Sequence, residues 1–290
     1  MHEIIKNLIS RGIVVTDGSW GTQLQRRGLQ RGECPDSLNI SNPGIVEDVA
    51  RCYVDAGSDI ILTNTFSANR FVLSKFNLAD RAAEINRAGV AISKKAAGAR
   101  AFVFASMGPS GKMLVSGDVT ADQLRESYEE QARAQRDAGA DGIVVETMMD
   151  IEEAKIAVAA AKSTGLPVVG SLVFDSGKDK TRTMMGNTPE QAVEALTLAG
   201  ADAIGANCGQ GIEGFIVICT RMRAATALPL WMKPNAGLPE LEAGEVIYKT
   251  TPKDFSRYIP DLVKAGASFI GGCCGTDQHY IVEIRKSLGK

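Results

Sequence analysis

Two adjacent thiols near the C-terminus carry the strongest chemical signal in the chain. They lie in Phe269-Ile270-Gly271-Gly272-Cys273-Cys274-Gly275-Thr276, an apolar run that gives way to glycine on both sides of the cysteine pair. Neighbouring side chains of a regular strand point to opposite faces. Cys273 and Cys274 therefore converge on one point only if the backbone leaves strand geometry, which flanking glycines permit. A third thiol, Cys208, ends a similar run, Ile204-Gly205-Ala206-Asn207-Cys208-Gly209. Three thiolates with a fourth position open match a catalytic zinc site better than a closed structural one. The competing reading is packing, since free cysteine is among the most buried residue types. That reading suits Cys52 and Cys219, inside helical patterns, and Cys34, in the segment after the first apolar run. A redox role suits the adjacent pair poorly, because a disulfide between neighbours is strained and the spacing is not Cys-x-x-Cys.

A repeated unit must hold these thiols in place. Short apolar runs recur at Gly12 to Thr16, Asp59 to Thr63, Ala101 to Ala105, Gly142 to Glu146, Pro167 to Ser171, Asp202 to Ala206, Leu228 to Met232 and Ser268 to Gly272. Near-continuous apolar runs suit parallel strands buried on both faces. Between them lie alanine-rich, charge-bearing stretches of helical period, such as Asp122 to Ala138, with Thr120 as N-cap, and Ile151 to Ser163. Four junctions repeat nearly one word: Asp55-Ala56-Gly57-Ser58-Asp59, Asp137-Ala138-Gly139-Ala140-Asp141, Leu198-Ala199-Gly200-Ala201-Asp202 and Lys264-Ala265-Gly266-Ala267-Ser268. Glycine just past a helix end supplies the left-handed residue that stops it, so each word reads as helix stop, tight turn, next strand. Eight strand–helix units without a break in composition predict a single-domain α/β fold, the (β/α)8 or TIM barrel. A doubly wound open sheet is disfavoured, since Asp17-Gly18-Ser19-Trp20-Gly21 follows the first strand where that fold would place Gly-x-Gly-x-x-Gly.

Barrel active sites sit at the C-terminal strand ends. Those ends read Asp17-Gly18, Thr63-Asn64-Thr65-Phe66, Ser106-Met107-Gly108-Pro109, Glu146-Thr147, Phe174-Asp175, Asn207-Cys208, Lys233-Pro234-Asn235 and Cys273-Cys274. All three thiols thus share one rim. Strands six and eight are next-nearest neighbours, about 10 Å apart, and Zn–S bonds of about 2.3 Å let one metal join them. Glu146 reads equally as a structural acid binding loop amides, and Asp17 and Asn235 as turn residues. His279 reads as surface or second-layer, Met148-Met149 and Met184-Met185 as gap fillers, and Trp20 as a cover for the mouth.

Composition excludes several classes. Lys and Arg number 32 against 34 Asp and Glu in 290 residues, so nothing points to a nucleic-acid or anionic-membrane partner. No apolar stretch is long enough to span a membrane and no signal peptide opens the chain, which predicts a soluble, cytoplasmic protein. Six irregularly spaced cysteines predict reduced thiols rather than a disulfide framework.

The strand-end words together resemble the homocysteine S-methyltransferase family across nearly the whole chain. They are Asp17-Gly18-Ser19-Trp20-Gly21-Thr22, Thr63-Asn64-Thr65-Phe66, Gly108-Pro109-Ser110-Gly111, Glu146-Thr147, Asn207-Cys208, Pro234-Asn235-Ala236-Gly237-Leu238-Pro239 and Gly271-Gly272-Cys273-Cys274-Gly275-Thr276. They look most like the homocysteine-binding module of cobalamin-dependent methionine synthase, and less like the betaine- or S-methylmethionine-using branches. The resemblance implies that residues 1–290 form one homocysteine-binding barrel with zinc on Cys208, Cys273 and Cys274. It further implies the homocysteine thiolate as fourth ligand, and the amino-acid end held near Asp17, Gly18, Glu146, Asn207 and Asn235. Methylation to methionine would draw on methylcobalamin or another methylcorrinoid. With the chain ending at Lys290, that donor would arrive on a separate corrinoid protein. Two departures stand out: Ser106 occupies a position where the module is expected to carry Asp, and Gly209-Gln210-Gly211 follows Cys208 where a small residue and leucine are expected. The alternatives are a small donor such as S-methylmethionine, a different thiol acceptor, or a non-catalytic zinc-holding subunit.

Overall fold

The computed structural model describes residues 1–242 and 245–290. Eight strands form one parallel sheet: β1 (Val14–Val15), β2 (Ile60–Ile61), β3 (Phe102–Met107), β4 (Gly142–Met148), β5 (Val168–Leu172), β6 (Ala203–Gly211), β7 (Leu230–Asn235) and, after a small hairpin, β10 (Ala267–Ile270). Their order is β1-β10-β7-β6-β5-β4-β3-β2, with helices between successive strands, so the sheet curls into the expected (β/α)8 barrel.

Backbone ladders run through seven of the eight seams, and side chains help to close the remaining one, between β1 and β2. Asp59 donates its N–H to Val15 O at 2.7 Å and takes the Val15 N–H on its carboxylate at 2.8 Å, while Asp17 takes the Leu62 N–H at 2.7 Å. The same device recurs in the repeated junction words. Asp141 donates to Val103 O and accepts from Val103 N, and Asp202 does the same with Val168. Each carboxylate also meets a lysine: Lys290, Lys94 and Lys162 for Asp59, Asp141 and Asp202. The aspartate of the word therefore ties neighbouring strands at the N-terminal end of the barrel, and the glycine before it takes φ of 88 to 92° at Gly57, Gly139 and Gly200.

The barrel interior is filled rather than hollow. Phe104 stacks on Trp231 at 6.4 Å, and Trp231 meets Phe269 at 5.3 Å. Ile5 and Leu8 of the first helix, Glu3–Ile9, belong to the same buried cluster. A second layer of apolar side chains packs between strands and helices. The helices at Ala121–Asp137, with its Thr120–Gln123 capping box, and Ile151–Lys162 match the sequence expectation.

Three features depart from it. Strands β6 and β7 continue into the polar rim, where Asn207 pairs with Lys233 and Gly211 with Asn235. An antiparallel hairpin, β8 (Glu240–Glu242) with β9 (Glu245–Ile247), rises from the segment after β7; with three residues in each strand, it is too short for its Glu-Leu-Glu alternation to stand out. Met184 and Met185 are exposed, at 53% and 39%, because they lie on the long segment after β5 rather than in a gap of the core.

Candidate active site

The convergence of the two adjacent thiols depends on the glycines before them. A Cβ on Gly271 would fall 2.0 Å from Thr16 Oγ1, and one on Gly272 would fall 2.3 Å from Thr276 Oγ1, so only glycine lets this segment pass the residues after β1 and turn back against Thr276. Strand β10 has ended at Ile270, and a turn follows. Thr276 donates both its N–H, at 3.1 Å, and its hydroxyl, at 2.7 Å, to Cys273 O. Cys273 N–H reaches Pro234 O at 2.8 Å, and Cys274 N–H is taken by the Asn235 side chain at 3.0 Å. On β6, Cys208 is itself left-handed, at φ 64°, and across the rim Thr147 sits at φ 60°. Such conformations cost on the order of 1–3 kcal/mol in a non-glycine residue and persist where the surroundings impose them. Asn207 imposes the second: its carboxamide accepts from Thr147 N at 2.8 Å and from Ser171 Oγ at 2.7 Å, and donates to Thr147 Oγ1 at 2.6 Å.

The three sulfurs all lie within 4.8 Å of one another, with Cys208 and Cys274 3.7 Å apart. Tetrahedral sites with Zn–S bonds of about 2.3 Å place neighbouring sulfurs about 3.8 Å apart, so the donor set fits zinc in number, chemistry and spacing. The thiols do not ionise independently. Hydrogen bonds from Cys273 and Cys274 pull the Cys208 thiol far below the ordinary range. The Cys208 thiolate in turn pushes Cys273 up, and Cys274 up to about 12. The three thiols therefore titrate as one coupled set, with Cys208 the first to ionise. Tyr248, just past β9, bonds to Cys274 and is raised by burial and by that cluster.

Beside the sulfurs lies a corner of buried charge. Asp17 accepts from Trp20 Nε1 at 2.8 Å, Leu62 N at 2.7 Å and Lys233 Nζ at 2.5 Å. Glu146 accepts the Ser106 hydroxyl at 2.5 Å. Burial raises the Glu146 carboxyl above its ordinary value, opposed by Lys233 and the Ser106 bond. Burial works against the Lys233 ammonium, but Asp17 and Glu146 outweigh it and hold its pKa above the ordinary value. Gly18 forms the floor, where a Cβ would come 2.8 Å from the Tyr53 hydroxyl. The eight residues singled out by sequence all lie at this end of the barrel. Lys233, Ser106, Thr147 and Tyr248 join them; the one signal for Lys233 was a charged residue closing a buried strand.

The three thiols, Gly18, Ser106, Glu146, Thr147, Lys233 and Tyr248 line one cavity of about 1420 Å³, with Trp20, Arg26, Phe66, Leu241, Val246 and His279; Asp17, Asn207 and Asn235 support that lining without joining it. Among the described residues no helix is long and apolar enough to cross a membrane.

A (β/α)8 barrel with three converging thiols and an acid–lysine corner on its C-terminal rim defines the class. The homocysteine S-methyltransferase family model matches residues 14–288, and the chain belongs to that family. It is 31% identical over 304 residues to a methionine synthase of Mycobacterium tuberculosis, a match covering 97% of this chain and 25% of the relative. The methionine synthase of Mycobacterium leprae gives 30% over 310 residues, with 99% and 25% covered. The chain thus spans about a quarter of the length of these relatives. In fold it is similar to the homocysteine methyltransferase MmuM from Escherichia coli, whose oxidized and metallated crystal forms each align with a TM-score of 0.82 at 22% identity. The oxidized form covers 98% of this chain and 99% of its own.

Proposed function

We propose that residues 1–290 form a homocysteine-binding barrel that methylates homocysteine to methionine. Cys208, Cys273 and Cys274 would hold zinc at the C-terminal rim, and a methylcorrinoid such as methylcobalamin, carried by a separate protein, would supply the methyl group. The observation that carries this reading is the convergence of three thiols within 4.8 Å beside a buried acid–lysine corner. Bound there, zinc would supply the positive charge that keeps an acceptor thiol, ordinarily protonated at neutral pH, in its nucleophilic thiolate form.

The chain's own residues do the rest. Glu146 offers its carboxylate to the substrate ammonium. Asn207 and Asn235 act through the backbone, the first bracing Thr147 and the second holding the Cys274 amide, so that the thiols stay aimed at one point. Asp17, already bonded to three donors, anchors Lys233, and Gly18 leaves the floor clear. The acceptor sulfur attacks the methyl carbon, the S–C bond forms as the donor–carbon bond breaks, and the electron pair leaves with the donor; no general base is required at that step. The cavity exceeds the roughly 300–1,000 Å³ usual for drug-sized ligands, and Phe66, Leu241 and Val246 are exposed at its edge, which favours a donor larger than an amino acid. The test is methionine formation from homocysteine by the zinc-loaded protein with methylcobalamin, S-methylmethionine or betaine. Turnover with methylcobalamin alone is expected; turnover confined to a small donor would overturn the corrinoid assignment, and none with any donor would overturn the enzymatic one.

A further inference from the structure

Methyl transfer at this site requires a choice among sulfurs. Cys208, Cys273 and Cys274 are all partly exposed and all line the cavity, so a methyl donor that reaches an acceptor thiolate held there reaches them as well. A protein thiolate is the same kind of nucleophile as the acceptor. The chain aims a hydrogen-bond donor at each of its own three. Asn207 Nδ2 points to Cys273 Sγ at 3.9 Å. Cys208 is met by the Gly209 N–H and the Asn235 side chain. Cys274 is met by the Tyr248 hydroxyl.

Tyr248 is held in place from both sides of the Cys274 turn. Its ring lies across Gly275, where a Cβ would fall 2.3 Å from the ring's Cγ, so only glycine after Cys274 leaves room for it. Two residues on, Thr250 donates its N–H to Ala236 O at 3.2 Å, and its carbonyl accepts the Tyr280 hydroxyl at 2.5 Å. The Ala236 N–H in turn reaches Cys274 O at 2.9 Å. Phenol and thiol are thus fixed to the same short stretch of backbone.

We propose that Tyr248 is a positioning residue that acts through Cys274: its hydroxyl lowers the nucleophilicity of that sulfur, so that the methyl group goes to the acceptor and not to the protein. Donation into a sulfur lone pair draws charge from it and makes it less reactive towards carbon. With these donors taken by the protein sulfurs, an acceptor thiolate entering from the cavity is the more electron-rich nucleophile. This rests on the zinc and acceptor reading above and adds what decides which sulfur attacks.

The test is alkylation of the zinc-loaded protein by methyl iodide, followed by peptide mass spectrometry. A cysteine sulfur forms its S–C bond as iodide leaves with the electron pair, so each event adds one methyl group to a mapped residue. In Tyr248→Phe, Cys274 is expected to be methylated roughly five- to tenfold faster than in the wild type, with zinc retained and the rates at Cys208 and Cys273 unchanged. Para-aminophenylalanine in place of Tyr248 restores an N–H donor on the same ring and is expected to restore the slow rate. A tyrosine that serves only the fold would, on removal, loosen the turn, release zinc and expose the three cysteines alike. That outcome, or a Cys274 rate equal to the wild type's, would overturn the proposal. The wild type supplies a second test without any variant. With homocysteine and methyl iodide both present, methionine is expected to form at least about tenfold faster than any of the three cysteines is methylated, and equal rates would overturn the proposal. A wild type that takes up no zinc would overturn the zinc reading above, and this proposal with it.

Discussion

The two ends of the barrel treat their polar groups in opposite ways. At the N-terminal end, Asp59, Asp141 and Asp202 each donate a backbone N–H to one strand, accept that strand's N–H on the carboxylate, and meet a lysine. Nothing is left over, and the result is mechanical closure. At the C-terminal end the strands finish in three thiols whose ionisation is coupled, and among the described residues Lys233 makes one hydrogen bond and Glu146 uses one oxygen. Two residues there, Thr147 and Cys208, are held in left-handed backbone that non-glycine residues rarely adopt. Among the described residues, partners are thus complete within the chain at one end and incomplete at the other, the end where barrel folds place their sites.

Breaking the thiol cluster should have the largest effect. Cys208→Ala, Cys273→Ala or Cys274→Ala is expected to fold yet lose stoichiometric zinc and all methyl transfer, as elemental analysis and a methionine assay would show. Full zinc occupancy in Cys273→Ala would remove that residue from the metal site. Acid should release the metal as well, with a definite slope. Cys208 is held low while Cys273 and Cys274 are held high. Uptake near neutral pH should therefore displace about two protons and weaken about a hundredfold for each pH unit lost. Buffer-dependent calorimetry measures the proton count, and three would mean that Cys208 is protonated before the metal arrives.

Next in size is Glu146→Gln, which should weaken homocysteine binding by roughly one to two orders of magnitude while leaving zinc in place. If Glu146 serves the fold instead, calorimetry on folded, zinc-loaded variant will show unchanged affinity and a thermal scan will show lower stability.

The sequence exposed the fold because its signals are local. Apolar runs mark the strands, and glycine in the Ala-Gly words marks each helix stop. The thiols were legible for a related reason, since the glycines that let Cys273 and Cys274 converge are adjacent to them. Lys233 was not, because its partner Asp17 is 216 residues away and only barrel closure brings them together. The aspartates of the junction words were seen as punctuation; their bonds to Val15, Val103 and Val168 cross between strands and leave no trace in local spacing.

Removing one carboxylate from each end should move stability in opposite directions. Near the rim, Asp36 is 1% exposed, and its carboxylate accepts the Ser67 N–H and faces the Cys34 thiol. Burial raises its pKa from 3.8 to about 7. Between those values the folded state binds a proton that the unfolded chain does not, so stability falls as pH rises through this window. Asp36→Asn keeps an acceptor for Ser67 and removes the charge. It should therefore stabilise the protein at pH 8, by at most about 4 kcal/mol, with the gain shrinking through pH 7 to 4 and gone below it. Denaturant melts across that range measure it, and a gain independent of pH would discard the linkage.

The smallest effect should come from the other end. Asp202 accepts from Val168 N at 3.0 Å and His2 N at 2.8 Å, and pairs with Lys162 at 2.7 Å. Asp202→Ala removes those bonds and strands the buried Val168 N–H, a loss of about 1–3 kcal/mol by the usual cost of an unmet buried donor. The sign is opposite to that at Asp36 because here the carboxylate completes a set of donors. Zinc content and homocysteine affinity of the folded variant should match the wild type, since the barrel core of Phe104, Trp231 and Phe269 separates this seam from the rim. A drop in stability together with a change in homocysteine affinity would show that the two ends are mechanically coupled, and the division of labour between them would not stand.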